Sequence, residues 1–178
     1  MPKGAVLRKF LFIIIPAAIA VSVIYAFSDS RSGYLNKNVT TGDVTVFFGT
    51  EISGGRAHLW SDKVSGVLYA DTDKSIDNGF TKDVSSLRFT GKKANGLFET
   101  VVSLPKADDE VSETLPEAIK ESGKKYYEMC STCHAAAEPN RYAKHRWDGI
   151  LKSMQQHGGI SDSDLSVIRR YVILSITN

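Results

Sequence analysis

Three kinds of hydrophobic patterning follow one another along the chain. Phe10 to Phe27 is an uncharged, almost wholly apolar run, preceded by Lys3, Arg8 and Lys9 and ended by the polar stretch Ser28-Asp29-Ser30-Arg31. A helix of that length spans about 27 Å, close to the hydrocarbon thickness of a bilayer. From Tyr34 to Pro105 the period becomes two: Val44, Val46 and Phe48 alternate with Thr45 and Phe47, and Leu87 and Phe89 with Arg88 and Thr90. That is strand periodicity. Turn signals at Gly54-Gly55, Asp77-Asn78-Gly79 and Asn95-Gly96 divide the region into five or six short strands, which pack naturally as a compact antiparallel barrel or sandwich. From Leu115 onward the period is helical. Ile119, Gly123 and Tyr126 share one face, Trp147 to Gln156 forms a second helix closed by Gly158-Gly159, and Ser161-Asp162-Ser163-Asp164 caps a third carrying Leu165, Ile168, Tyr171 and Val172. Gly123 allows a neighbouring helix to approach closely, with an aromatic such as Tyr171 opposite it.

The chain therefore reads as α+β, in successive parts. Residues 1–30 form an N-terminal membrane helix, 34–105 a small antiparallel β domain, 106–114 a linker and 115–178 an all-α domain. The linker reading rests on Asp108, Asp109, Glu110 and Glu113, a solvated acidic stretch. The basic residues lie before the apolar run, so the amino end is expected in the cytoplasm and the rest outside it, in the periplasm of a bacterium, as a single-pass inner-membrane protein. A cleaved leader peptide ending at Ala26-Phe27-Ser28 is the competing reading. Both export the chain.

Charge narrows the partners. Twenty-two Lys and Arg against twenty Asp and Glu leave a net charge of +2. That excess sits in the N-terminal segment. No basic stripe remains for phosphate neutralisation, so no nucleic acid is expected as partner.

Both cysteines of the chain fall in Cys130-Ser131-Thr132-Cys133-His134, the C-x-x-C-H pattern of covalent c-type haem attachment. Two thiols three positions apart on one turn can each form a thioether with one vinyl group of a single porphyrin. The following imidazole then reaches the iron. A thioredoxin-like dithiol needs a βαβ setting that this third of the chain lacks. A zinc site needs four ligands. A plain disulfide does not require the histidine. One covalently attached haem c is expected.

For the sixth position, Met1 precedes the apolar run, Met129 abuts Cys130, and His58, beside Leu59 and Trp60, reads as an ordinary core or rim histidine. Met154, His157 and His145 remain. Met154 shares a helix face with Trp147 and Leu151, which makes it the expected distal ligand, with a histidine or a vacant position as alternatives. Arg141, Arg146 and Trp147 are candidates to hydrogen-bond the haem propionates, and the two arginines also fit a plain solvated basic turn.

The arrangement Gly123-x-x-Tyr126, then Cys130-x-x-Cys133-His134, then a helix with Trp147, Gly149, Leu151 and Met154, then a capped helix with Tyr171, resembles a class I cytochrome c domain over residues 115–177. The tryptophan helix is similar to that in the C-terminal monohaem domain of the pentahaem cytochromes that feed trimethylamine N-oxide reductase. This chain has one C-x-x-C-H and no multihaem quinol-oxidising module. The resemblance implies a detached terminal electron carrier rather than an enzyme, fed by a quinol-linked donor and delivering single electrons to a periplasmic reductase. The alternative class is a haem-based sensor or diatomic-ligand-binding module with an open or labile sixth position.

Overall fold

The computed structural model describes residues 31–105 and 109–176. The apolar run from Phe10 to Phe27 lies outside them, and among the described residues no helix is long and apolar enough to cross a membrane.

Ten short strands dominate the first two thirds: β1 (Gly33–Leu35), β2 (Val39–Thr41), β3 (Val44–Val46), β4 (Glu51–Ile52), β5 (Arg56–Ser61), β6 (Val67–Tyr69), β7 (Asp77–Thr81), β8 (Phe89–Ala94), β9 (Leu97–Ser103) and β10 (Val111–Ser112). They form a seven-stranded sheet in the order β2-β3-β7-β6-β5-β9-β8 and a three-stranded sheet in the order β10-β1-β4, with antiparallel pairing throughout. Alternation sets the core. Leu35, Val46, Ile52, Leu59, Leu68 and Leu104 turn inward and are completely buried.

Two of the expected turns form. Gly54 and Gly55, both at positive φ, join β4 to β5, while Asn95 and Gly96, also at positive φ, close the hairpin between β8 and β9. Asp77-Asn78-Gly79 instead lies inside β7. A side chain at Gly79 would stand 2.4 Å from the Thr45 carbonyl oxygen, so glycine here serves close backbone approach rather than a turn.

Four helices follow: α1 (Leu115–Ala118), α2 (Lys120–Cys130), α3 (Lys144–Gly158) and α4 (Asp162–Ile176). Thr114 caps α1, Gly159 at φ 63° ends α3, and Ser161 Oγ accepts from the Asp164 amide at 3.1 Å at the start of α4. Tyr126, Trp147, Leu151, Ile168 and Val172 are buried together between α2, α3 and α4.

The expected partition into an independent β domain and a separate C-terminal all-α domain is corrected by the structure, which is a mostly antiparallel β protein with a few helices packed onto it. Phe48 from the sheet region is buried with Ile119 and Leu174 from the helices, and Ile76, Leu115 and Val167 pack around them. Arg170 of α4 reaches across: its Nε donates to the Phe48 carbonyl at 2.6 Å, Nη1 to the Asp77 carbonyl, and Nη2 to Asn78 Oδ1 at 2.9 Å. Lys144 Nζ donates to the Ser75 carbonyl. The physical reason is α4, which is apolar on two sides. Ile168 and Val172 face the other helices, whereas Val167 and Leu174 gather with Phe48 and Ile76 of the sheet region as well as with Leu115 and Ile119. The acidic stretch read as a linker also contributes structure, since Leu35 and Tyr34 pair with Val111 and Ser112 of β10.

Candidate functional site

The C-x-x-C-H segment straddles the end of α2. Cys130 is the last helical residue, and the chain then turns, with the Ser131 amide bonded to the Tyr127 carbonyl at 3.0 Å. Thr132 Oγ1 donates to the Met129 carbonyl at 2.9 Å and lies 3.3 Å from that of Glu128, satisfying carbonyls that the helix end leaves without amide partners. Both thiols are free, Cys130 half-buried and Cys133 exposed. Burial pushes the Cys130 thiol pKa up, which keeps it protonated at neutral pH.

His134 is exposed, and its Nδ1 lies 2.9 Å from the Ala135 carbonyl oxygen. A carbonyl only accepts, so Nδ1 carries a proton, and in the neutral ring that tautomer leaves the lone pair on Nε2. A backbone acceptor on the far nitrogen is the usual way in which a ligating imidazole is oriented.

Two tyrosines of α2 hold the segment after His134. Tyr126 donates its hydroxyl proton to the Ala137 carbonyl, and Tyr127 donates to Glu138 Oε2 at 2.8 Å. Burial raises the pKa of both phenols, so they remain donors across the physiological range. Sequence reasoning took Tyr126 as a face residue and as part of the Gly123-x-x-Tyr126 pattern, with no hydrogen bond assigned, and gave Tyr127 no role. The signal available was their position one turn before Cys130.

A cavity of about 610 Å³ opens between this segment and the C-terminal half of α3. Cys130, Cys133, His134 and Met129 line one wall, while Ser153, Met154 and His157 line the other. The volume falls within the range of about 300–1,000 Å³ for sites that bury a drug-sized or cofactor-sized ligand. The fold thus brings together four of the seven residues expected at the site: Cys130, Cys133, His134 and Met154.

The other three stand elsewhere. Trp147 is buried behind the cavity, and its indole Nε1 donates to the Pro139 carbonyl at 2.8 Å, so that donor is already used. Arg141 is exposed near the Tyr142 ring, with its guanidinium carbon 5.9 Å from the centroid. Arg146 lines a different, more open depression with Tyr142, His145, Gly149 and Ile150. None of the three lines the cavity.

His157, weighed only as an alternative to Met154, does line it, and its Nδ1 contacts the Ser153 carbonyl at 2.8 Å. Its Nε2 is therefore also a free lone pair. His145 is separated from the cavity by its place in the other depression. His58 is exposed on β5, with Nδ1 3.6 Å from Glu99 Oε1, far along the chain from any of these groups.

Among the described residues no group of three or more His, Cys, Asp or Glu is placed to hold a metal ion. A porphyrin supplies four nitrogen ligands itself and asks the protein only for the axial positions. The residues present fit such a group. One wall has two free thiols and an imidazole whose Nδ1 is turned to a backbone carbonyl, and the other has a thioether. No protein-family model matches the chain, and neither a curated protein nor a solved structure shows significant similarity to it.

Proposed function

We propose that the chain is a c-type cytochrome that transfers single electrons in a respiratory chain. The observation that carries the reading is the cavity itself: the only two cysteines of the chain and the adjacent His134 form one wall, and Met154 stands on the other. Haem c, when bound, supplies reversible one-electron chemistry at iron. Cys130 and Cys133 would hold it by thioether bonds. His134 would provide the proximal nitrogen, oriented by the Ala135 carbonyl, and Met154 the distal sulfur. Trp147 and Leu151, buried on the same helix as Met154 and at helical spacing from it, would help to keep water from that side. An apolar surround disfavours the more charged oxidised state, which suits a carrier working at the higher-potential end of a chain.

The apolar run from Phe10 to Phe27, with its basic residues on the amino-terminal side, supports export across a bacterial inner membrane and tethering there, with the described residues in the periplasm. The electron donor on this reading is quinol-linked, and the acceptor is a periplasmic terminal reductase of the kind that the resembling pentahaem cytochromes serve.

The test is haem retention on denaturing electrophoresis. Peroxidase-type haem staining is expected to survive on the wild type and to be lost or altered in Cys130→Ala and Cys133→Ala. Complete extraction of haem by acidified acetone would overturn the assignment. A ferrous spectrum changed by carbon monoxide would move the protein into the class of sensors or ligand-binding modules.

A further inference from the structure

We propose that the open depression on α3 bounded by Tyr142, His145, Arg146, Gly149 and Ile150 is the docking surface for the acidic face of a redox-partner protein, a proposal that rests on the electron-carrier reading of the neighbouring cavity. Its volume is about 590 Å³, and no acidic residue lines it. Arg141 stands beside it against the Tyr142 ring. The acid nearest in sequence, Asp148, is taken by Arg169 Nε at 2.7 Å. Among the described residues neither Arg141 nor Arg146 has an ion-pair partner. Two guanidinium groups, Arg146 in the depression and Arg141 beside the Tyr142 ring, thus stand there without an ion-pair partner, the arrangement that attracts and orients a negatively charged protein face.

Shape agrees with charge. A Cβ at Gly149 would find no atom within 4 Å, so the floor of the depression is bare helix backbone open to a partner. Along α3, Arg146, Ile150 and then Ser153, Met154 and His157 follow at spacings of three and four, which places them along one side of the helix. The same side of α3 therefore carries the depression and, farther along, the cavity wall formed by Met154 and His157. A protein seated there overhangs the cavity mouth.

A second connection runs through the interior. The Tyr142 and Trp147 ring centroids are 5.5 Å apart, those of Trp147 and Tyr126 are 6.3 Å apart, and Tyr126 lies one turn before Cys130 in the same packed cluster. Dense packing without a gap thus joins the docking surface to the cysteine wall. One electron leaves the reduced carrier and enters the oxidised metal centre of the partner, with no proton moved and no bond made or broken. An anionic membrane is the poorer match, because lipid-binding patches gather about four to eight lysines and arginines.

The test is stopped-flow oxidation of the reduced, full-length protein by an acid-faced blue-copper protein, measured against ionic strength. The rate constant is expected to fall steeply with salt. Arg141→Glu with Arg146→Glu is expected to lower it about tenfold at low salt and to flatten the salt dependence, leaving the visible spectrum and reduction potential unchanged. Reversal of Lys92 and Lys93 on β8 should leave the rate as it is. An unaffected rate in the arginine variant would overturn the proposal. So would a shifted spectrum or potential, which would give the arginines to the prosthetic group, or binding to phosphatidylglycerol vesicles that the variant loses. Failure of the underlying reading is seen separately, as a wild-type protein with no c-type spectrum before any partner is added.

Discussion

A Cβ placed on Gly123 would lie 2.7 Å from Cε2 of Tyr171 and 3.0 Å from its Cζ. The helices α2 and α4 cross here with nothing between backbone and ring. Tyr171 has little freedom to yield, because its ring centroid is 5.4 Å from that of Tyr126 and 6.5 Å from that of Tyr127.

Gly123→Ala is therefore expected to destabilise the protein although alanine is the better helix former. Overpacking typically costs about 1–3 kcal/mol, and the gain in helix propensity returns about 1 kcal/mol, so a net loss of up to about 2 kcal/mol is expected by urea unfolding. Tyr171→Leu in the same chain should recover part of it, since a smaller side chain admits the methyl group.

Met154→Ala tests the distal side of the cavity. The variant should keep covalently attached haem, lose the weak ferric charge-transfer band in the red, bind carbon monoxide in the ferrous form, and show a lower reduction potential. An unchanged six-coordinate spectrum would transfer the role to His157, whose Nδ1 contact with Ser153 leaves Nε2 available in the same cavity.

Arg170 joins sheet and helices by three donors to Phe48, Asp77 and Asn78. Arg170→Leu keeps much of the apolar stem but leaves those acceptors without a donor, at an expected cost of about 2–4 kcal/mol in thermal or urea unfolding. Arg170→Lys should rescue little of this, because one ammonium cannot reach three acceptors that a planar fork spans.

Acid stability should depend on Glu99 at the junction of β8 and β9. Its carboxylate accepts from Thr90 Oγ1 at 2.6 Å and Lys92 Nζ at 3.1 Å. The Thr90 hydroxyl holds this carboxyl below the usual glutamate range; burial opposes the effect, and Lys92 and His58 add to it. A carboxyl with a folded-state pKa below its unfolded one stabilises the fold above the unfolded value, and that contribution is lost as pH falls through the folded value. The thermal midpoint is thus expected to stay level through neutral pH and to drop below about pH 4, less steeply in Glu99→Gln. Equal slopes in both proteins would show that other carboxylates govern the acid limb.

Local geometry was legible where one residue type carries one physical reason. The Asn95-Gly96 hairpin follows from the positive φ that those residues tolerate, and Cys130, Cys133, His134 and Met154, singled out by spacing and helical phase, line one cavity. Gly123 facing Tyr171 followed in the same way. What failed was assignment across elements. Trp147 was a candidate to hydrogen-bond a haem propionate, and its indole donates instead to the Pro139 carbonyl. The helices were read as a domain of their own because Phe48, Ile119 and Leu174 look alike whether they meet one another or a haem core. Periodicity reveals that a face is buried and leaves unsaid what buries it. Asp77-Asn78-Gly79 misled for a related reason: glycine in a turn and glycine under a neighbouring backbone carry the same letter.

The pairing of β10 with β1 has a kinetic consequence. Tyr34 meets Ser112 across nearly the whole β region, so this closure bears a larger loop entropy than the contacts among α2, α3 and α4, whose partners stand closer in sequence. The helical segment can therefore take shape before the strands around Gly33 and Ser112 are joined. During biosynthesis the thiols of Cys130 and Cys133 would then be presented on a formed turn while the sheet is still open. On the cytochrome proposal, attachment of a haem to both sulfurs would fall in that interval, ahead of the step that clamps α4 onto the strands.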